Sequence, residues 1–207
     1  MDGVAAGDSD QAFELAILVD PDKCGSMAMK LYKSKVPPLS FAAYLDFAWT
    51  KNHITVSRAA RSRAELARLF QYAQFDIPAA LPEKVTCWRG TAGVSVAQAR
   101  RGVSWSLSRD VAALFATRFG DSHSGPNRLL LKTTVPKSQI LFYSDERQEK
   151  EVVLVRPPKI VVVDGDLDDW KRCAERHASD SRAAQTRLLN QLEPVLNPVD
   201  TVAHSVD

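Results

Sequence analysis

The sequence predicts an α+β protein in which helices come first and a mainly antiparallel sheet follows. Residues up to about 76 place apolar side chains at helical spacings, whereas the chain beyond Pro78 and Pro82 consists mostly of short runs rich in β-branched and aromatic residues. One amphipathic segment interrupts these runs, and a further helical segment follows Asp166. Separate helical and strand-rich stretches are typical of the α+β class.

The chain of 207 residues is long enough for one well-packed domain and short for two. Residues 1–12 are small and acidic, which predicts a disordered leader. We expect the rest of the chain, 13–207, to form a single domain. Its parts are a helical part at about 25–76, a sheet core at about 83–165 and a C-terminal helix at about 167–195.

Two helices are expected in the N-terminal part. The segment "PLSFAAYLDFAWTKN" has apolar residues at helical spacings, with Ser40 as its candidate N-cap. The segment "SRAARSRAELARLFQYAQF" begins at Ser57, and its arginines are expected on the solvent face of a second helix.

Six strands are expected in the second part, with one helix between the second and the third. This helix, "SRDVAALFATRFG", has Ser108 as its candidate cap and Gly120 as its stop. The strand runs are "VTCWRG", "GVSWSLS", "NRLLLKTTV", "QILFY", "EVVLV" and "KIVVVDGD".

Composition argues against several classes of protein. A net charge of +2 does not indicate binding of nucleic acid through bulk charge, although it does not exclude such a partner. The three cysteines are widely spaced and suggest neither a disulfide framework nor a zinc site, so no metal is expected. The N-terminus lacks a secretory signal, and no segment is long enough to span a bilayer. We therefore expect a cytoplasmic protein with no membrane partner.

Polar residues interrupt the strand runs at three places. Arg89 ends the first run, Ser104 and Ser106 lie in the second, and Glu149 and Glu151 open the fifth. Positions i and i+2 of a strand point to one face, so the two carboxylates are expected side by side. Taken singly, each has a plain explanation: an arginine that covers a neighbouring tryptophan, serines that lead into a helix cap, or a solvated strand end.

Taken together and in order, these residues resemble a family pattern. The stretches "WRG", "SWSLSRDVAALFATRF" and "RQEKEVVLV" are similar to the Arg, Ser-x-Ser and Glu-x-Glu arrangement of the mono-ADP-ribosyltransferases, a family with bacterial toxin, effector and bacteriophage members. The resemblance covers about Val85 to Asp164 and departs from many members at Trp105, where they have threonine. It implies a split, two-sheet fold whose cleft holds NAD as a co-substrate, and a protein that can be delivered into a host cell.

The resemblance also implies roles for the residues that would bind NAD. Arg89 would bind a phosphate or the adjoining ribose, and Gly90 would bind the nicotinamide amide through its backbone. Ser104 would orient the catalytic glutamate, and Ser106 would brace the strand or the arginine side.

The two glutamates would divide the chemistry of transfer. Breaking the bond between nicotinamide and ribose builds positive charge on the ribose, as in glycoside hydrolysis, and Glu151 would stabilise that charge. Glu149 would position an acceptor arginine of a host or target protein and take its proton. The resemblance thus implies an arginine-specific ADP-ribosyltransferase.

Several alternatives stay open. The same site would suit an NAD glycohydrolase or a transferase acting on nucleic acid, and a binding module without catalysis is a third reading. A substrate-facing aromatic could be either Phe142 or Tyr143. In the loop after the embedded helix, the pattern favours His123 as an ordinary polar loop residue; the alternative, which the resemblance offers, is that Phe119 or His123 touches NAD.

Overall fold

The computed structural model describes residues 2–118 and 127–196. Within these ranges the chain forms eight α-helices and one six-stranded antiparallel sheet. The helices are α1 (Asp2–Ala6), α2 (Ser9–Leu18), α3 (Cys24–Lys33), α4 (Pro38–Ala59), α5 (Arg63–Ala73), α6 (Val96–Arg100), α7 (Arg109–Thr117) and α8 (Leu167–Leu196). The strands are β1 (Lys84–Ala92), β2 (Ser104–Ser106), β3 (Arg128–Pro136), β4 (Ile140–Ser144), β5 (Glu151–Leu154) and β6 (Val162–Val163).

The sheet consists of two three-stranded halves that meet at one residue pair. The strand order is β4-β5-β2-β1-β3-β6, and β1 pairs with β3 along its whole length. Between β1 and β2 the paired residues are Trp88 and Ser106 alone. The structure therefore has one continuous sheet, whereas the resemblance implied two. Because β1 and β2 pair so briefly, side chains from both strands are available to line a space at the junction.

The N-terminal helices pack on the β4–β5 half of the sheet through an aromatic core. Trp49 of α4 and Phe70 of α5 are buried and meet edge to face, with ring centroids 5.0 Å apart. Phe70 also contacts Phe142 of β4, with centroids 5.6 Å apart. Burial of one such side chain stabilises a fold by about 1.5–3 kcal/mol. This apolar contact fixes α4 over the sheet.

The helix between β2 and β3 packs on β1 at a glycine. The side chain of Ser108 accepts a hydrogen bond from the Val111 backbone N–H and caps α7. A Cβ at Gly90 would lie 1.6 Å from the carbonyl oxygen of Ala112, so no larger residue fits there without moving α7. The glycine after Arg89 is thus required by helix packing.

The last helix is attached to α7 by a hydrogen-bonded cluster. Asp164 accepts bonds from Trp88 Nε1 at 2.8 Å and from Arg109 Nε at 2.9 Å, and its carbonyl oxygen accepts one from Trp170 Nε1 at 2.6 Å. Arg109 also pairs with Asp169 of α8. Trp170 and Cys173 are buried against α7.

The expected disordered leader is helical in the structure. The Asp8 carboxylate accepts bonds from the backbone N–H groups of Asp10 and Gln11, both at 3.0 Å, and so caps α2. Val4 and Ala12 are buried in the N-terminal core. A Cβ at Gly3 of α1 would lie 2.3 Å from the side-chain oxygen of Gln11 in α2, so this small residue lets the two helices approach closely.

Both predicted starts of the N-terminal helices were wrong. The helix α4 begins at Pro38, and Ser40 is fully buried inside it rather than capping it. It continues past Ser57 to Ala59, and the cap of the next helix is Ser62, which accepts a bond from the Glu65 backbone N–H. The expected strands are all present, and the short helix α6 was not predicted.

Two further expectations fall outside the described residues. The predicted helix stop at Gly120 lies there, as do Phe119 and His123. The position of the helix between β2 and β3 is as expected.

Candidate active site

A cavity of about 420 Å³ lies where α4 crosses the junction of the two half-sheets. It receives residues from α4, β1, β2, α7 and the loop before β5. The site residues expected from the sequence all line it: Arg89, Gly90, Ser104, Ser106, Glu149 and Glu151. Other lining residues are Thr50–Ile54, Trp88, Trp105, Ala112, Phe115, Arg118 and Arg147.

Glu151 is the first residue of β5 and is held by a tryptophan. It lies opposite Ser106 of β2, and its Oε1 accepts a hydrogen bond from Trp49 Nε1 at 3.0 Å. This donor was not predicted from the sequence, because an indole in an apolar helical stripe has the pattern of a core residue. Ser104, which was expected to orient the glutamate, lies opposite Val153 on the same face of the sheet.

Glu149 precedes the strand and belongs to a turn. Its neighbours Gln148 and Lys150 have φ angles of 57° and 46°, in the left-handed region. The expectation that Glu149 and Glu151 share a strand face was therefore wrong, although both line the cavity. Oε2 of Glu149 accepts a bond from Arg147 at 3.2 Å. Burial raises the pKa of the Glu149 carboxyl, opposed by the charge of Arg147.

Ser106 braces this turn. Its Oγ donates a hydrogen bond to the carbonyl oxygen of Glu149 at 2.6 Å and accepts one from the Ser108 backbone N–H at 2.9 Å. The brace therefore joins the glutamate turn to the start of α7, rather than supporting the arginine side. A hydroxyl with both of these bonds has one acceptor site left for a ligand.

Arg89 extends beneath the cavity with part of its guanidinium unpaired. Nη1 donates to the carbonyl oxygen of Ser104, and within the described residues the buried Nε has no hydrogen-bond partner. A Cβ at Gly102 would lie 2.2 Å from Cζ of Arg89, so the guanidinium lies directly against that glycine. Burial lowers the pKa of Arg89, and the charge of Glu151 opposes this effect. A buried donor without a partner costs free energy, so Nε makes the position of Arg89 energetically costly in this structure.

A second cavity, of about 470 Å³, adjoins the first through Arg89 and Ser104. Arg61, Arg63 and Arg101 also line it, and none of the described residues in its lining is acidic. Arg63 donates to the carbonyl oxygens of Arg101 and Leu154, at 2.6 and 3.0 Å. Burial and the nearby charge of Arg89 lower the pKa of Arg63 to about 10. The second cavity is therefore positively charged.

The wall opposite the sheet is a kink in α4. Asn52 has φ −158° and ψ 72°, and its side-chain oxygen accepts a bond from the Thr55 backbone N–H, which restarts the helix. Lys51 Nζ donates to the carbonyl oxygens of Ile17 and Val19, at 3.0 and 2.9 Å. Residues on both sides of the kink, 50–54, line the cavity.

The two aromatic candidates of β4 have different surroundings, and neither is among the described residues that line the cavity. Phe142 is buried against Phe70 and Phe75. Tyr143 is half-buried against the sheet core.

A scan against protein-family models finds no match for this sequence, and searches of curated proteins and of solved structures find none either. In the described ranges, no helix has both the length and the apolar character required to cross a membrane. The described residues also include no group of three or more His, Cys, Asp or Glu side chains placed to hold a metal ion.

Proposed function

We propose that this protein is an NAD-dependent mono-ADP-ribosyltransferase that modifies arginine side chains of a target protein and releases nicotinamide. One observation carries the proposal. A single cavity is lined by the arginine of β1, the serines of β2, Glu149 of the turn before β5 and Glu151 of β5, and these three groups are far apart in the sequence. The cavity lies where the two halves of the sheet meet at one residue pair, and this brief pairing supports the proposal of a cleft at that place.

The joined cavities suit a dinucleotide with a charged middle. NAD carries a diphosphate between two ribosides, and a diphosphate pairs well with planar guanidinium groups. Arg89 lines both cavities, and Arg61 and Arg101 line the second one. In this arrangement the diphosphate lies at Arg89 and the nicotinamide riboside lies towards Glu151.

Glu151 is suited to stabilise the charge that develops on the ribose. Loss of nicotinamide gives an oxocarbenium-like transition state, and a fixed carboxylate next to it lowers the barrier. The carboxylate of Glu151 is held through Oε1 by Trp49, which leaves Oε2 to bond a ribose hydroxyl. Nicotinamide leaves as a neutral molecule, so no acidic group is required to protonate it.

Glu149 is suited to bind the acceptor. It already accepts a hydrogen bond from a guanidinium, that of Arg147, at 3.2 Å. A raised pKa makes this carboxylate a stronger base, as the attack of a guanidinium nitrogen on ribose C1 requires. The new C1–N bond replaces the bond to nicotinamide, and the guanidinium proton passes to Glu149.

The proposal is tested with purified protein, NAD labelled in the adenosine part, and agmatine as a small guanidine acceptor. We expect nicotinamide release together with labelled ADP-ribosyl-agmatine. Free ADP-ribose without labelled agmatine would instead identify a glycohydrolase, a result that the occupation of Glu149 by Arg147 would explain. Absence of nicotinamide release would overturn both forms of the proposal.

A further inference from the structure

The structure assigns to Trp49 the role of positioning the Glu151 carboxylate. The N-terminal helices therefore contribute a residue on which the geometry of the site depends. The catalytic half of this inference rests on the proposed function. The contact that carries it is the hydrogen bond from Trp49 Nε1 to Glu151 Oε1, at 3.0 Å, between residues 102 positions apart in the sequence.

The indole has little freedom to point elsewhere. Trp49 is fully buried, and its ring is packed edge to face against Phe70 with centroids 5.0 Å apart and against the ring of His53 at 5.7 Å. A buried indole N–H requires an acceptor, and Glu151 supplies it. Because the ring is fixed by packing, the bond fixes the carboxylate in turn.

The serines of β2 do not replace this donor. Ser106 is bonded to the carbonyl oxygen of Glu149 and to the backbone N–H of Ser108. Ser104 lies opposite Val153, one diagonal step from Glu151. Trp49 is therefore the side-chain donor that the structure shows on Glu151, and it comes from outside the strand region that resembles the transferase pattern.

The position of Trp49 depends on the N-terminal layer. The kink at Asn52 follows three residues later, and Asn52 Nδ2 donates to the carbonyl oxygen of Pro21 at 3.3 Å. Lys51 bonds the carbonyl oxygens at the end of α2. Helix α4 is thus tied to the preceding segment beside the residue that holds the glutamate, and a change in that segment would alter the geometry of the carboxylate.

The catalytic test compares two substitutions in α4. Trp49→Phe keeps a buried ring and removes the N–H donor. Phe41→Leu, the matched control, shrinks another fully buried aromatic side chain of the same helix, one that does not line the cavity. Loss of a hydrogen bond to a charged group predicts roughly 10- to 100-fold slower nicotinamide release in Trp49→Phe, with the KM for NAD changed less than about threefold. Phe41→Leu is expected to lower thermal stability and to retain turnover.

Two results would overturn the assignment: turnover retained in Trp49→Phe, or an equal loss of turnover in both variants, which would show that general destabilisation is the cause. Complete absence of nicotinamide release from the unsubstituted protein is a different result. It would overturn the proposed function and the catalytic role of Trp49, but not the contact.

The contact has a test that needs no activity. The protein has four tryptophans, so its nitrogen-15 NMR spectrum has four indole N–H resonances, and Trp49→Phe identifies one of them. We expect this resonance to move in Glu151→Ala, while that of Trp170, which donates to the carbonyl oxygen of Asp164, stays in place. A Trp49 resonance that does not respond would overturn the assignment, whatever the enzyme assays show.

Discussion

The two walls that carry the glutamates are built in opposite ways. The inner wall, defined by α4 and β5, holds Glu151 through a neutral donor on a fully buried ring. The outer turn, residues 145–150, holds Glu149 through Arg147, whose side chain is 50% exposed. Buried, packed contacts persist, whereas an exposed ion pair is weak and is screened by salt. The inner carboxylate is thus fixed, and the outer one can exchange its partner.

This difference matches what the two steps of the proposed transfer require. Charge that develops in a transition state is stabilised best by a group that is already in place. An acceptor guanidinium, in contrast, must displace whatever occupies its binding carboxylate. Arg147 is a suitable occupant because its exposed ion pair contributes at most about 1 kcal/mol.

The largest expected effect is at the inner wall. Glu151→Gln keeps the shape of the side chain and an oxygen for Trp49 but removes the negative charge. We expect nicotinamide release to fall by roughly 1000-fold, both with and without a guanidine acceptor, by analogy with loss of one preorganised charge-stabilising group. Steady-state assays measure it, and circular dichroism checks the fold. Retention of either activity would remove Glu151 from the catalytic role.

Glu149→Ala should separate the two activities. Transfer to agmatine is expected to fall by roughly 100-fold, which is typical of a lost general base, whereas hydrolysis of NAD should persist because Glu151 remains in place. The ratio of ADP-ribosyl-agmatine to free ADP-ribose is the measurement. Equal loss of both products would show that the two glutamates do not have separate roles.

The sequence predicted the positions of the strands, and the residues it grouped together as a candidate site line one cavity, but it did not predict the contacts between them. Short β-branched and aromatic runs identified all six strands, since such residues favour a pleated, half-buried surface. Arg89, the serines and the glutamates, which the sequence pattern selected, all line one cavity. These features depend on local residue types, which a sequence displays directly.

The remaining features depend on tertiary contacts or on backbone angles. Trp49 has the spacing of a core residue, and only the packing of α4 across β5 makes it a donor to Glu151. The left-handed angles of Gln148 and Lys150 remove Glu149 from the strand, yet neither residue type signals them as a glycine would. The leader became helical because Asp8 caps α2.

A smaller effect is expected from Asp46, beside the inner wall. Burial, with the charges of Glu146 and Glu151, raises the pKa of its carboxyl to about 6, and its buried Oδ1 has no partner among the described residues. A raised pKa means that folding favours the protonated form, so this group lowers stability progressively as pH rises from about 4, its unfolded pKa, to about 6. Asp46→Asn should therefore stabilise the protein at pH 7 by about 1–2 kcal/mol after allowance for solvent screening.

Urea unfolding across this pH range measures the effect of Asp46→Asn. The gain should shrink as pH falls from 6 to 4, because Asp46 is then protonated in the unsubstituted protein as well. Glu146→Gln is the control. It removes one charge next to Asp46 and leaves Asp46 buried, so we expect a smaller increase in the free energy of unfolding at pH 7. A gain that is the same at pH 4 and pH 7 would show that the charge of Asp46 is not its cause.

The smallest effect is expected from Arg147→Ala in the outer turn. The free energy of unfolding should change by less than about 0.5 kcal/mol, because the ion pair with Glu149 is exposed. The turn also keeps two other hydrogen bonds, from the Lys150 backbone N–H to Asp145 and from Ser106 to the Glu149 carbonyl oxygen. The KM for agmatine should fall about two- to threefold, since the acceptor no longer displaces a resident guanidinium. Arg147→Lys keeps the charge without the planar fork and should lie between the two. Salt screens the ion pair in the unsubstituted protein, so the difference in KM between that protein and Arg147→Ala should narrow at high ionic strength. A KM that rises in Arg147→Ala would mean that Arg147 helps to bind the acceptor instead of competing with it.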